Sequence, residues 1–311
     1  MGSLDEKVKT SIDRLKAFEP PEGYYLAFSG GKDSVVCKAL LEMAGCKYDA
    51  TYRVTSVDPP ELVRFIKDKH SDVIREIPRW PDDYKNEKLA GNPITMWNLI
   101  TEKGYPPSRH VRSCCEKLKE SGGDGRIVVT GVRWAESPAR RQNQGLVVTM
   151  AKSQAEKTLD AGDYKATKYG SVVLTNDNDD ARRLVESCYK RHKTTVNPII
   201  DWTDADVWEF IRANSIPYCS LYDEGWPRLG CVGCPLASKA HRTKEFLRWP
   251  KYKGAYIFAF DKMLEKRKAQ GRAFVIGGMQ VPHATGVDVF NWWMEYDILP
   301  GQVNLFEDYD E

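Results

Sequence analysis

Tyr24-Tyr25-Leu26-Ala27-Phe28 runs directly into Ser29-Gly30-Gly31-Lys32-Asp33-Ser34, and Val35 to Ala44 follows, closed by Gly45. The first five residues are a short continuous apolar run, as a strand buried on both faces carries. Residues 35–44 read as a helix, so the hexapeptide is a strand-to-helix turn. Its two glycines let backbone amides turn inward as an anion nest. The helix N-terminus adds a partial positive charge, and Lys32 adds a full one. Ser29 and Ser34 add hydroxyl donors. The natural ligand of such a turn is a di- or triphosphate. The pattern GxxxxGK[ST] is missing, so this is a different loop from the Walker A type. The plain alternative is a glycine-containing turn with no ligand.

The flanking sequence gives the loop its setting. Residues 5–18 read as an amphipathic helix, with Val8, Ile12, Leu15 and Phe18 at helical spacing. Strands are expected at 49–56, near 73–77 and at 126–130, with a helix over 61–69. Alternating strands and helices predict an α/β fold, a doubly wound, mainly parallel sheet with flanking helices. Ligands of such sheets bind at the carboxyl ends of the strands. Residues 142–195 are less regular, and Asn176–Asp180 reads as a loop. Thr203 with Asp206 three residues on marks a helix start. From about 220 the pattern becomes loop and then helix without strands. The expected division is a nucleotide-binding domain over 1–220 and a cysteine-bearing loop and helical region over 221–311.

The chain of 311 residues is 41% apolar and 29% charged, which is ordinary globular composition. Nine Trp, fifteen Tyr and ten Phe supply ample core material. No apolar run reaches the ~18 residues of a membrane span, and MGSLDEKVKT has no hydrophobic signal region. The expectation is a cytoplasmic protein with no membrane partner. Lys and Arg total 46 against 44 Asp and Glu, so no global basic field advertises a nucleic acid. Local basic stretches at 105–119 and 182–193 could track a polynucleotide backbone or be solvated faces.

Eight cysteines are the other informative count. Cys114 and Cys115 are adjacent, and Cys231 and Cys234 form a CxxC within Gly230-Cys231-Val232-Gly233-Cys234-Pro235. Two Cys pairs usually read as zinc. Neighbouring side chains diverge in helix and strand alike, so adjacent thiolates close poorly around one small ion. Four separate irons suit them better, and a [4Fe–4S] cluster on Cys114, Cys115, Cys231 and Cys234 is expected. Zn²⁺, structural thiols or a redox pair are the alternatives. Arg112, Lys117, Lys119, Arg228, Lys239 and Arg242 would offset cluster charge or hold phosphates, with some of them solvated surface. Cys37 and Cys46 read as core residues; Cys188 and Cys219 are open.

SGGKDS resembles the PP-loop of the N-type ATP pyrophosphatases, adenine nucleotide alpha-hydrolase-like proteins that cleave ATP to AMP and pyrophosphate while adenylating an acceptor. Gly131-Val132-Arg133-Trp134-Ala135-Glu136-Ser137, with Arg140 and Arg141, is similar to the phosphate-gripping segment of the phosphoadenosine phosphosulfate (PAPS) reductase family. Asn197–Trp202, Asp206–Trp208, Ile216–Tyr218, Leu221–Gly225 and Gly230-Cys231 resemble that family's stretch before its metal-binding turn. The resemblance covers roughly residues 20 to 240. It implies that Asp58 lies near the adenosine, unless it is a turn residue before Pro59-Pro60. It implies Arg133 and Arg140 as bidentate phosphate ligands, unless they pair with Glu136. The CC…CxxC arrangement also resembles that of cluster-bearing adenosine phosphosulfate (APS) reductases.

Two departures bear on activity. Sulfonucleotide reductases use a cysteine near their C-terminus, whereas GQVNLFEDYDE holds none. Their PP-loops are often degenerate, whereas this loop is intact. An intact loop with a cluster resembles sulfur-inserting enzymes, namely transfer-RNA thiolases and the ATP pyrophosphatase component of DNA phosphorothioation. The implied chemistry uses ATP with Mg²⁺. Lys32, Asp33 and Arg133 are the expected catalytic residues, Asp33 toward Mg²⁺ or loop geometry. The implied partners are a nucleic-acid acceptor, a cysteine desulfurase or thiol donor, and a second copy in a homodimer. The alternatives are an APS or PAPS reductase with its nucleophile elsewhere, such as Cys219, an adenylyltransferase, and a non-catalytic cluster sensor.

Overall fold

A computed structural model describes residues 3–109, 111–149, 162, 164–166, 172–174, 194–276, 279–281 and 283–295. The basic stretch 182–193, the Asn176–Asp180 loop and Cys188 lie outside the described residues. The chain forms two compact units that interleave along the sequence. One comprises Met1–Arg53, Pro60–Glu76 and Gly122–Leu229; the other comprises Val54–Pro59, Ile77–Ser121 and Gly230–Glu311. The sequence pattern suggests a single cut after residue 220 instead.

The first unit is built on an eight-stranded sheet. Its strands are β1 (Tyr24–Ala27), β2 (Tyr48–Arg53), β3 (Ile74–Glu76), β4 (Ile127–Val129), β5 (Val147–Thr149), β6 (Tyr164–Ala166), β7 (Val172–Leu174) and β8 (Thr194–Val196). They lie in the order β3-β2-β1-β4-β8-β5-β7-β6. The five from β3 to β8 run parallel, as expected of a doubly wound α/β fold. The other three add antiparallel. That extension is not foreseen in the pattern of residues 142–195. Three-residue strands are too short to display an alternation of period two.

Helices α1 (Leu4–Ala17), α2 (Lys32–Ala44) and α3 (Pro60–Lys69) alternate with the first strands. Ser3 and Glu6 form a capping box that starts α1. Gly45 ends α2 in the left-handed region, at φ 69°. Leu26, Val36, Leu40 and Leu41 are fully buried. At about 25 cal/mol per Å² of apolar surface, each contributes roughly 2–3 kcal/mol against chain entropy.

Winding proceeds outward from β1 through β2 to β3, then returns to the other side of β1 at β4. The strand order therefore reverses between β1 and β4, and the crevice beyond their carboxyl ends is where a ligand binds in such sheets. The loops opening there are Phe28–Gly31 and Thr130–Arg133.

The second unit holds α4 (Met96–Lys103), and the later helices α7 (Lys239–Arg248), α8 (Pro250–Ala269) and α9 (Gly286–Glu295). Helix α5 (Pro138–Asn143) and helix α6 (Asp204–Ala213) belong to the first unit. Phe246, Tyr256, Phe260, Phe290 and Trp293 form an aromatic core, with Tyr256 and Trp293 rings 4.8 Å apart. An antiparallel hairpin of β9 (Phe274–Ile276) and β10 (Met279–Val281) corrects the expectation of helices alone. Among the described residues no helix is long and apolar enough to cross a membrane.

Candidate functional site

The glycine loop sits where the sheet topology places it. Gly30 takes φ +73°, and a Cβ there would lie 2.8 Å from Ile66 and Leu62. Only glycine lets the loop press onto α3 in this conformation. Gly31 is the N-cap of α2 and offers no side-chain cap. The helix begins at Lys32, three residues earlier than the apolar pattern indicates. Ser34 Oγ donates to the Gly31 carbonyl at 2.9 Å and lies 3.3 Å from Ser29 Oγ. These hydroxyls close the loop rather than standing free toward a ligand.

The Lys32 backbone N–H donates to the Tyr222 hydroxyl at 2.9 Å. Tyr222 comes from the 3₁₀ turn Ser220–Tyr222. Burial pushes its phenol well above the usual range, so it is neutral. Its oxygen thus satisfies one of the N–H groups left open at this helix start.

Lys32 is 6% exposed, with Nζ 3.6 Å from both Asp33 and Asp204. Arg133 is 1% exposed. Its Nε donates to Asp33 Oδ1 at 2.7 Å, its Nη2 to Asp204 Oδ1 at 2.5 Å, and its Nη1 to the Trp202 carbonyl at 3.3 Å. Burial works against the guanidinium charge, and Asp33 and Asp204 outweigh it. Burial likewise opposes the Asp204 carboxylate, and Lys32 and Arg133 hold it below the usual range. Asp33, Lys32, Arg133 and Asp204 thus form one closed network.

Each Arg133 guanidinium nitrogen has a protein partner, and the phosphate grip that the resemblance implies would use the N–H groups these bonds leave over. Arg133 braces Asp33, and through it the loop. The ion-pair alternative applies to Arg140, which bonds Glu136 four residues earlier. Asp33 Oδ1 accepts from Arg133, which ties the loop to that residue. Gly131 makes the brace fit, since a Cβ there would lie 2.7 Å from Asp33 Cβ and 2.9 Å from its carbonyl carbon. Asp204 escapes sequence reasoning, because an acid in the first turn after the Thr203 cap already has a helix-dipole explanation. Tyr222 enters the sequence reading only within a resemblance.

The four expected ligand cysteines lie in the second unit and line one cavity of about 40 Å³ with Thr55, Met96, Leu118 and Tyr256. Cys114 precedes a π-helical turn, Cys115–Lys119, whose Glu120 N–H bonds the Cys115 carbonyl. Such turns are rare and concentrate at functional sites. The adjacent Cys114 and then Arg112 hold the Cys115 thiol below its usual range, against burial. Cys231–Cys234 is a turn held on three sides. Val232 N–H bonds the Val57 carbonyl, Tyr256 Oη donates to the Val232 carbonyl, and Gly233 N–H bonds Glu245. Gly233 has φ +75°, and a Cβ there would lie 2.6 Å from Phe246.

Burial pushes the Cys231 thiol up to about 12, against the pull of Lys119. Asp58 also acts on Lys119 and Cys231, and its carbonyl accepts from Tyr252 at 2.7 Å. Lys119, Cys231 and Tyr252 all belong to the cysteine unit. All seven described cysteines are free. Cys37 and Cys46 are buried, as expected of core residues. The all-sulfur donor set fits a Cys₄-ligated cluster or a zinc ion. Among the described residues no three Cys, His, Asp or Glu side chains close around one ion as they stand.

Residues 23–237 match the family model of the phosphoadenosine phosphosulfate reductase domain. The chain belongs to that family. The matched span holds the glycine loop, the Arg133 network and all four cavity cysteines. PAPS reductase-family proteins are nucleotide-using enzymes of the PP-loop type. An uncharacterized protein of Methanocaldococcus jannaschii is 24% identical over 245 residues, covering 79% of this chain and 47% of the relative. The chain thus spans about half the length of such curated relatives. An adenosine 5′-phosphosulfate reductase of Oceanobacillus iheyensis is 51% identical over 54 residues, 17% of this chain and 22% of that protein. The crystal structure of a PAPS reductase from Candida auris aligns with TM-score 0.40 and 14% identity, over 73% of this chain and 93% of that one.

Proposed function

We propose that this PAPS reductase-family chain is an ATP-using, iron–sulfur enzyme that adenylates an acceptor and releases pyrophosphate, for sulfur insertion into a nucleic acid. One observation carries the reading. A chain with an undegraded PP-loop also gathers four free thiols, from segments more than a hundred residues apart, around one cavity.

The loop's own residues account for the first half. Backbone N–H groups at the start of α2 would donate to the phosphates, and Mg²⁺ would supply charge neutralisation there. Lys32 stabilises the charge that grows as pyrophosphate leaves. Asp33 and Asp204, each 3.6 Å from its Nζ, hold the ammonium in place. A [4Fe–4S] cluster on Cys114, Cys115, Cys231 and Cys234 would supply a site for sulfide or electron transfer. The sulfur comes from a cysteine desulfurase or thiol donor. Free thiols suit a reducing compartment, the cytoplasm.

The matches to APS reductases favour a second reading, reduction of APS or PAPS. That reaction needs a nucleophilic thiol. Cys219 is poorly suited to be one, because it is 1% exposed and burial raises its thiol.

The deciding experiment is anaerobic. Cluster-loaded protein is given ATP with RNA, DNA or sulfate, and AMP and pyrophosphate are measured. Pyrophosphate release that vanishes in Lys32→Ala is the expected result. Sulfite from labelled APS or PAPS, without AMP formation from ATP, would establish the reductase instead.

A further inference from the structure

A second cavity, of about 650 Å³, lies in the cysteine-bearing unit, away from the thiols. Six cations line it, Lys85, Lys88, Lys103, Lys266, Arg267 and Arg272, against two carboxylates, Glu87 and Glu102. Its volume lies within the range of built ligand sites.

Three of the cations have structural employment. Lys103, Lys266 and Arg267 stand in the last turns of α4 and α8, where cations complement the helix dipole. Lys266 Nζ bonds Glu102 at 2.5 Å, and Arg267 donates to the Gly104 and Ala273 carbonyls. The dipole does not account for Lys85, Lys88 or Arg272. All three are exposed, come from loops, and have no ion-pair partner among the described residues.

The wall that carries them is tied by hydrogen bonds. Glu102, with a side chain 6% exposed, accepts from Tyr84 Oη at 3.1 Å and from Asn86 Nδ2 at 3.0 Å. These two residues flank Lys85. Leu89 and Ala90 N–H groups bond the Asn86 carbonyl, and Arg272 N–H bonds the Arg267 carbonyl at 2.9 Å. The Tyr84 ring packs 4.4 Å from that of buried Trp80 and lines the same cavity. An anchored loop that holds unpaired cations beside an aromatic ring suits a charged, stackable polymer.

We propose that this cavity binds a single polynucleotide strand, with Lys85, Lys88 and Arg272 on its phosphates. The inference deepens the proposed function by giving the nucleic-acid acceptor a docking site. The triple variant Lys85→Gln, Lys88→Gln, Arg272→Gln tests it. Its sites are exposed, and an unchanged melting curve verifies the fold.

Fluorescence anisotropy is measured with single-stranded RNA and with DNA of the same sequence, about 20 nucleotides long, across a salt series. Each single-strand phosphate contact adds about 0.7 to the log–log salt slope. Loss of three contacts lowers the slope by about 2 and weakens binding on the order of 100-fold at about 0.1 M salt. The RNA and DNA arms distinguish the acceptor. A variant that binds as tightly as the parent with the same slope, or a parent that binds neither strand, overturns the proposal. Strand binding lost in the variant, with a parent that makes no AMP from ATP, sustains the cavity and refutes the proposed function. AMP formation on a nucleic acid that the variant leaves unchanged does the reverse.

Discussion

Arg133 is where two roles make opposite predictions. As a phosphate ligand it would lower ATP affinity when removed and leave the folded protein as stable as before. As a brace it would do most of its work in the nucleotide-free protein. Arg133→Met keeps the aliphatic stem and removes the charge. Three hydrogen bonds are lost, two of them to carboxylates. Removing one partner of a buried ion pair typically costs about 3–5 kcal/mol. The Asp204 side chain is 67% exposed and that of Asp33 is 23% exposed, so water takes back part of their charge. The expected loss is therefore about 3 kcal/mol. At roughly 2–4 °C per kcal/mol for a domain of this size, the melting temperature falls by about 6–12 °C. Calorimetry without nucleotide measures it. Arg133→Lys, with its charge but no fork, should fall between parent and Met variant. If Arg133→Met melts within about 2 °C of the parent while ATP affinity drops tenfold or more, the brace is wrong and the phosphate role stands.

Two further variants probe the fold around the loop. Gly131→Ala puts a methyl group against the Asp33 backbone, so the loop must shift; a loss of about 1–3 kcal/mol and weakened nucleotide binding are expected, read by melting and by titration with ATP. His70, packed between Phe28 and Phe65 with Nε2 unpartnered, has its pKa lowered, chiefly by burial and then by Lys38. The folded state holds it neutral, while the unfolded chain takes a proton as pH falls through about 6.5. Its contribution is thus present above that pH and lost on acidification toward the lower folded value. His70→Phe should melt like the parent at pH 8 and higher than the parent at pH 5.5; equal differences at both would refute the assignment.

The strand, turn and helix around Ser29–Ser34 were legible because their signals are local. An apolar run, two glycines and a helical period sit within some twenty residues, and each fixes one element. The same holds for the Thr203 cap. The antiparallel edge and the β9–β10 hairpin were not legible, because three-residue strands carry too little periodicity and depend on neighbours supplied by the fold. The Arg133 role is hidden from sequence for a related reason. An arginine at a strand end offers the same fork to phosphate and to carboxylate, and only the fold brings Asp33 and Asp204 to it. The CxxC and Cys-Cys pairs were legible as chemistry. Their meeting at one cavity, and the π-turn that begins at Cys115, required three dimensions.

The closed network also changes what the loop can offer a triphosphate. Lys32 and Arg133 are matched by Asp33 and Asp204, so these four side chains together bring no net charge to the nest. A ligand carrying several negative charges must then be held by other means. On the proposed reading the amides at the start of α2 would be one, with the Tyr222 hydroxyl displaced from Lys32 N–H. On the proposed reading a divalent cation is the other. The balance also gives selectivity a physical basis. A nest with surplus cations would bind any polyanion, including sulfate and free pyrophosphate, and would release product slowly. On the proposed reading a neutral nest would leave the phosphates to be held through geometry and a shared metal ion, so that binding energy would appear where charge moves as pyrophosphate leaves rather than uniformly in the ground state.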